Sequence, residues 1–178
     1  MKGNIYLTGL PGSGKSTVGK TLSHLLGKEF VDIDLMIEGI ERKTIPDIFS
    51  CEGEEYFRSV ETECLKKIST RTNIIVSTGG GVPVDPVNVG IMENSGRIIW
   101  LKASPETILE RLNLQFESTG VNNDRPTLIS DEPLERIKKM LGSRQNAYKR
   151  SHAFVETDGK NVEAVAKEIH RRLVSWEK

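Results

Sequence analysis

Residues 4–17 read Asn4-Ile5-Tyr6-Leu7-Thr8-Gly9-Leu10-Pro11-Gly12-Ser13-Gly14-Lys15-Ser16-Thr17. Gly9 to Ser16 fit GxxxxGK[ST], the pattern of a phosphate-binding loop. The apolar run Ile5-Tyr6-Leu7 precedes the loop. An amphipathic pattern follows it over 15–26, with Val18, Leu22, Leu25 and Leu26 on one helical face and Gly27 as a suitable stop. Strand, glycine-rich turn and helix, in that order, are the setting in which this motif works. Its glycines let successive N–H groups turn inward toward phosphate oxygens, and the helix N-terminus adds partial positive charge. Lys15 is then placed for the β and γ phosphates and the Ser16 hydroxyl for Mg²⁺. The competing reading is a glycine-rich turn that only caps a helix. The loop predicts a nucleoside triphosphate and leaves the reaction open.

Beyond the loop, β-like runs at 4–8, 29–32, 73–77, 97–102 and 153–157 alternate with helical patterns. Pro46 opens one such pattern, with a break at Gly53; Ser104-Pro105 and Pro133 open others, and a last helix runs from about 162 to 176. Strands separated by helices predict βαβ units: an α/β three-layer fold, with a mainly parallel sheet covered on both faces. The chain reads as a single domain over 1–178, and ligands are expected at the carboxyl ends of the strands. Residues 113–131 are polar and lack a sustained apolar period, which predicts a lid within the domain.

Composition narrows the function classes. The 178 residues hold 25 Lys+Arg and 25 Asp+Glu, a formal net charge of zero, so no global field steers the chain to nucleic acid. Any anion must be held by a few cations focused in one cleft. The longest apolar run, Ile98-Ile99-Trp100-Leu101, is far short of the roughly 20 residues of a membrane span. The first residues do not fit a signal peptide, and the two cysteines, Cys51 and Cys64, form no metal or disulfide pattern. The expectation is a soluble, cytoplasmic protein without nucleic-acid or membrane partners.

Several residue groups are candidates for the acceptor side. Phe30-Val31-Asp32-Ile33-Asp34 places two carboxylates two apart at a strand end, where extended backbone aims both to one side. Asp32 suits a Mg²⁺-bound water and Asp34 an acceptor hydroxyl, although Asp34 also reads as the N-cap of the next helix. Arg58 either pairs with Glu54, Glu55 or Glu61 on a wet helix face or forks a substrate carboxylate. Gly79-Gly80-Gly81, after a buried strand, permit positive φ and close approach of a ligand, or form a merely flexible turn. Arg125, in the lid segment, is placed to swing over a transferring phosphoryl group. Arg144 and Tyr148 share a helix with Lys138, Lys139, Lys149 and Arg150, and a solvated basic face explains that spacing equally well. Many motor and switch ATPases with this loop carry an acidic residue ending a long apolar strand, where this chain has Thr78-Gly79-Gly80-Gly81. No guanine-reading NKxD occurs either, and both absences point to a small-molecule kinase.

In order, GLPGSGKST, VDID at 31–34, IPDIFSCEGEEYFRSVE at 45–61, STGGGVP at 77–83, DRPTL at 124–128 and SRQNAYK at 143–149 resemble the shikimate kinase family over nearly the whole chain. The resemblance implies a nucleoside-monophosphate-kinase-like fold with a five-stranded parallel sheet, and transfer of phosphate from ATP to the 3-hydroxyl of shikimate in aromatic amino-acid biosynthesis. It implies that Gly12, Ser13, Gly14, Lys15, Ser16 and Thr17 cradle ATP, with Ser16 and Asp32 at Mg²⁺. It further implies that Asp34 binds the shikimate hydroxyls, that Arg58 and Arg144 bind its carboxylate, and that Gly79, Gly80 and Gly81 supply backbone contacts. Arg125 would touch the γ-phosphate and Arg111 would stack on adenine. A monomer is expected.

Overall fold

The computed structural model describes residues 3–119 and 132–176. Strands β1 (Asn4–Thr8), β2 (Glu29–Asp32), β3 (Ile74–Ser77), β4 (Gly96–Lys102) and β5 (Ala153–Glu156) form one parallel sheet in the order β2-β3-β1-β4-β5. Parallel neighbours require crossovers, and helices supply them: α1 (Lys15–Leu26), α2 (Ile33–Glu41), α3 (Ile45–Cys51), α4 (Gly53–Ser69), α5 (Pro86–Ser95), α6 (Pro105–Thr119), α7 (Pro133–Tyr148) and α8 (Val162–Ser175).

Side-chain alternation along the strands sorts the core into layers. Ile5, Leu7, Ile75, Ile99 and Leu101 face α1 and α8, where they meet Val18, Leu22, Ile169 and Leu173. Tyr6, Ile74, Val76 and Ile98 face the opposite way, onto Ile33, Ile37, Phe57, Leu65 and Met92 of α2, α4 and α5. A third cluster, with Leu10, Trp100, Ile108, Ile137 and Tyr148, seats α6 and α7 beside the phosphate loop. Burial on both faces explains why β1 reads as continuous apolar sequence rather than alternating.

Helix starts follow local chemistry. The Asp32 carboxylate accepts from the N–H groups of Asp34 and Leu35, Thr44 caps α3, Asp85 caps α5 and Asn161 caps α8. The break at Gly53 separates α3 from α4, with Gly53 at φ 85°.

Several sequence expectations change. The run 73–77 begins at Ile74, because Asn73 is left-handed at φ 68°, and the run 153–157 ends at Glu156. Helix α5, which the sequence pattern does not announce, is signalled only by Asp85-Pro86; Asn88 and Gly90 blur its apolar stripe. The strand β2 stops at Asp32 and Asp34 lies in the first turn of α2, so extended backbone does not align the two carboxylates. Asp32, not Asp34, is the cap. The segment 113–131 is not wholly irregular: 113–119 continue α6. No Gly or Pro interrupts that stretch, and extending a nucleated helix costs little. The rest of the expected lid lies outside the described residues.

Candidate active site

The phosphate loop hangs between β1 and α1, with Gly9 at φ 141°, Gly12 at φ 77° and Gly14 at φ 92°. Gly14 offers no side-chain cap to α1, so no side chain takes the first-turn N–H groups from an incoming anion. Lys15, only 9% exposed, donates from Nζ to the Leu10 carbonyl at 2.9 Å, and Ser13 N–H donates to the same oxygen at 3.1 Å. Ser16 Oγ donates to Asp32 Oδ2 at 2.6 Å and lies 3.2 Å from Ser77 Oγ. A hydroxyl, a carboxylate and a second hydroxyl thus converge where three strand ends meet. These hard oxygen donors beside a phosphate loop suit Mg²⁺, which takes few protein ligands and keeps waters and substrate phosphates in its shell. Among the described residues no cluster of three or more His, Cys, Asp or Glu forms a cation cage.

A cleft of about 800 Å³ runs from this loop along the carboxyl edge of the sheet. It is lined by Gly12 to Thr17 on one side, by Asp34, Thr78 and Gly80 at one end, and by Arg111, Thr157 and Val162 at the other. Arg111 donates from Nη1 to Thr157 Oγ1 at 3.0 Å and from Nη2 to the Thr157 carbonyl at 2.8 Å. A longer bond from Nη1 reaches the Ser13 carbonyl at 3.4 Å. These bonds fix the guanidinium plane at the Thr157 end of the cleft.

The glycine triplet owes its composition to crowding. None of the three residues has positive φ, contrary to the expectation. A β-carbon on Gly79 would fall 2.4 Å from Glu61 Oε1 and 2.9 Å from Asp34 Oδ1. On Gly80 it would meet Pro11 Cδ at 3.1 Å, the Gly9 carbonyl at 3.3 Å and Arg144 Nη1 at 3.4 Å. On Gly81 it would fall 2.5 Å from Arg58 Nη1. Three consecutive positions therefore carry the backbone against two carboxylates, the phosphate loop and two arginines in turn. A turn formed merely for flexibility would not need this.

Arg58 makes the ion pairs expected of it and in addition stands beside the glycine triplet. It pairs within α4, Nη1 with Glu61 Oε2 at 2.8 Å and Nη2 with Glu54 Oε1 at 3.1 Å, and it also borders Gly81. Its face is not wet on the Glu61 side, because Glu61 is wholly buried. Burial works against the Arg58 charge, but the Glu61 and Glu54 carboxylates outweigh it and hold the pKa above the ordinary guanidinium value. Arg144 Nη1 is buried with no hydrogen-bond partner, next to Gly80. The two guanidinium groups border neighbouring residues of one loop, and planar forked donors of this kind suit a carboxylate. Four turns of α7 end in Tyr148, whose hydroxyl donates to the Gly80 carbonyl at 2.7 Å.

The candidates brought to the cleft and its rim are thus Gly12, Ser13, Gly14, Lys15, Ser16, Thr17, Asp32, Asp34, Arg58, Gly79, Gly80, Gly81, Arg111 and Arg144; Arg125 lies outside the described residues. Sequence reading did not single out Ser77, Thr157 or the buried role of Glu61. Ser77 and Thr157 stand where β3 and β5 end, so the strand-end rule was the available signal. Glu61 had none, since three residues after Arg58 it looks like any surface helix pair.

Fold and cleft together define a P-loop phosphotransferase of the small-molecule kinase class. A family model described as shikimate kinase matches residues 11–174. A shikimate kinase of Moorella thermoacetica is 40% identical over 99% of this chain and 97% of its own. Among solved structures, shikimate kinase from Acinetobacter baumannii in complex with shikimate superposes with TM-score 0.89 at 34% identity, covering 97% of this chain and 93% of that one. A gluconokinase from Sinorhizobium meliloti, with TM-score 0.62 at 16% identity over 98% of this chain and 93% of that one, shares the fold alone. The chain belongs to the shikimate kinase family.

Proposed function

We propose that this chain transfers the γ-phosphoryl group of ATP to the 3-hydroxyl of shikimate, giving shikimate 3-phosphate. The observation that carries this reading is the glycine triplet with Asp34, Glu61, Arg144 and Arg58 packed against it in turn. That set offers a hydroxyl-orienting carboxylate at one end and two guanidinium donors at the other, which matches a small ring bearing both hydroxyls and a carboxylate.

In this mechanism the ATP phosphates lie on the N–H groups of residues 12–17, and Arg111 packs on the adenine. Lys15 exchanges the Leu10 carbonyl for phosphate oxygens. Ser16 and Asp32 would hold Mg²⁺, which when bound would neutralise charge on the transferring group. Arg58 and Arg144 fix the acceptor carboxylate, and Asp34 accepts a hydrogen bond from the attacking hydroxyl. Orientation matters here more than basicity, since the loose transition state of phosphoryl transfer asks little of a base. Glu61 holds Arg58 in position from behind. Arg125 keeps the role at the γ-phosphate that the family resemblance gives it. The enzyme acts as a single domain over 1–178, a cytoplasmic monomer; among the described residues no helix is long and apolar enough to cross a membrane.

A coupled assay of ADP release with Mg²⁺ and a panel of acceptors tests this. Turnover should depend on shikimate and not on gluconate or a nucleoside monophosphate; turnover with gluconate alone would overturn the assignment. Arg58→Lys, which loses the bidentate fork, should raise KM for shikimate by about tenfold or more and leave that for ATP within about twofold.

A further inference from the structure

A second cavity, of about 700 Å³, opens at the β5 edge of the sheet, away from the phosphate loop. That volume falls within the range of small-molecule sites. Both tryptophans of the chain line it, Trp100 from β4 and Trp176 from the end of α8, together with the exposed ring of Phe154 on β5. Its charges are one-sided: Lys102, Lys149 and Arg172 line it, and no Asp or Glu does among the described residues.

We propose that this cavity is a ligand site for a small aromatic carboxylate, and that its occupancy is felt in the acceptor cleft through Tyr148. Three observations point to an anion. Lys149 makes no ion pair among the described residues, although Lys102 and Arg172 are paired with Glu156 and Glu168. Arg172 keeps a buried Nε without a hydrogen-bond partner even while Nη2 bonds Glu168. The Ile98 N–H donates to His152 Nδ1 at 3.0 Å, which leaves the imidazole proton on Nε2 as a further donor at the cavity wall.

The walls select a flat ring on that anion. Phe154 already has Lys102 and Arg172 over its face, at 5.5 and 6.0 Å, and His152 lies edge-on to Trp176 at 6.3 Å. Inorganic phosphate would leave these aromatic faces wet, and a neutral ring would leave Lys149 and the Arg172 Nε without a partner.

Tyr148 connects the two sites. Its ring stacks on Trp100 at 5.6 Å and lines the second cavity, while its hydroxyl holds the Gly80 carbonyl. A ligand wedged against Trp100 disturbs that stack and with it the bond to Gly80. The coupling rests on the acceptor role proposed for the glycine triplet; the binding does not.

Because both tryptophans line the cavity, their emission reports its occupancy without any turnover. Titration of the full chain with benzoate should give a saturable change, with benzamide and inorganic phosphate at least about tenfold weaker. Lys149→Ala and Phe154→Ala should each weaken benzoate by about fivefold to tenfold, and Arg58→Lys should not. No saturable change, an equal response to benzamide or phosphate, or loss of the response in Arg58→Lys would overturn the site. For the coupling, saturating benzoate should raise KM for shikimate at least about twofold in the wild type but not in Phe154→Ala. Tyr148→Phe should still bind benzoate while losing the rise. An unchanged KM in the wild type would overturn the coupling.

Discussion

A β-carbon on Gly81 would fall 2.5 Å from Arg58 Nη1, so a methyl group can be seated there only if the guanidinium moves. Gly81→Ala should therefore displace the guanidinium and raise KM for shikimate by about tenfold, with KM for ATP within about twofold, as steady-state kinetics with each substrate varied will show. An equal rise for ATP would mean that the whole cleft had shifted. The same residue shows how far sequence carries at this scale. The phosphate loop was legible because its motif encodes backbone shape and charge in eight consecutive positions. The glycine triplet was legible as special but for an incomplete reason, since its neighbours, Asp34, Glu61, Arg144 and Arg58, arrive from three different helices. Nothing local distinguishes a glycine needed for φ from one needed for room. Burial of Glu61 was likewise invisible, because it depends on β3 and its loop closing over α4.

The start of α2 carries two duties on one side chain. Asp32 caps the helix through Oδ1 and accepts from Ser16 through Oδ2. Asn retains a capping oxygen and loses the charge, so Asp32→Asn should keep stability within about 0.5 kcal/mol yet need several-fold more Mg²⁺ for half-maximal rate. Asp32→Ala should show the same Mg²⁺ defect and in addition lose about 1 kcal/mol in urea denaturation. Equal stability of the two variants would remove the cap from this account. At the start of β4, a β-carbon on Gly96 would fall 2.1 Å from the Asn4 carbonyl oxygen, opposite its partner in the β1 register. Since backbone and not a mobile side chain stands in the way, Gly96→Ala should cost about 3 kcal/mol, read as a lowered denaturation midpoint. Most elements were legible from apolar runs and from Gly, Pro and Asp punctuation. The exceptions, α5 and the last turns of α6, are helices whose polar content hides a pattern that packing and elongation sustain.

Across the whole molecule, the acceptor cleft gathers the β2–α2 junction, α4, the loop after β3 and α7, so an acceptor bound there ties together segments far apart in sequence. Shikimate alone, without nucleotide, should stabilise the fold by about 2.7 kcal/mol at a hundred times its Kd, seen as a raised melting temperature that gluconate at the same concentration does not produce. Absence of any shift would count against the assembly of the cleft from these parts. Zero net charge, read from composition, is compatible with such a site because its cations are focused where strands end rather than spread over a face. The strand order has a consequence for biosynthesis. β1 is the first strand made and the middle one in the sheet, and Ile5 waits for both Ile75 and Arg97. While the ribosome is still adding the residues of β4, the wholly buried strand that carries the phosphate loop has only one flank to lean on. A nascent chain that ends before β4 therefore leaves one edge of β1 unpaired, and the sheet can close around its first-made strand only once later sequence has emerged.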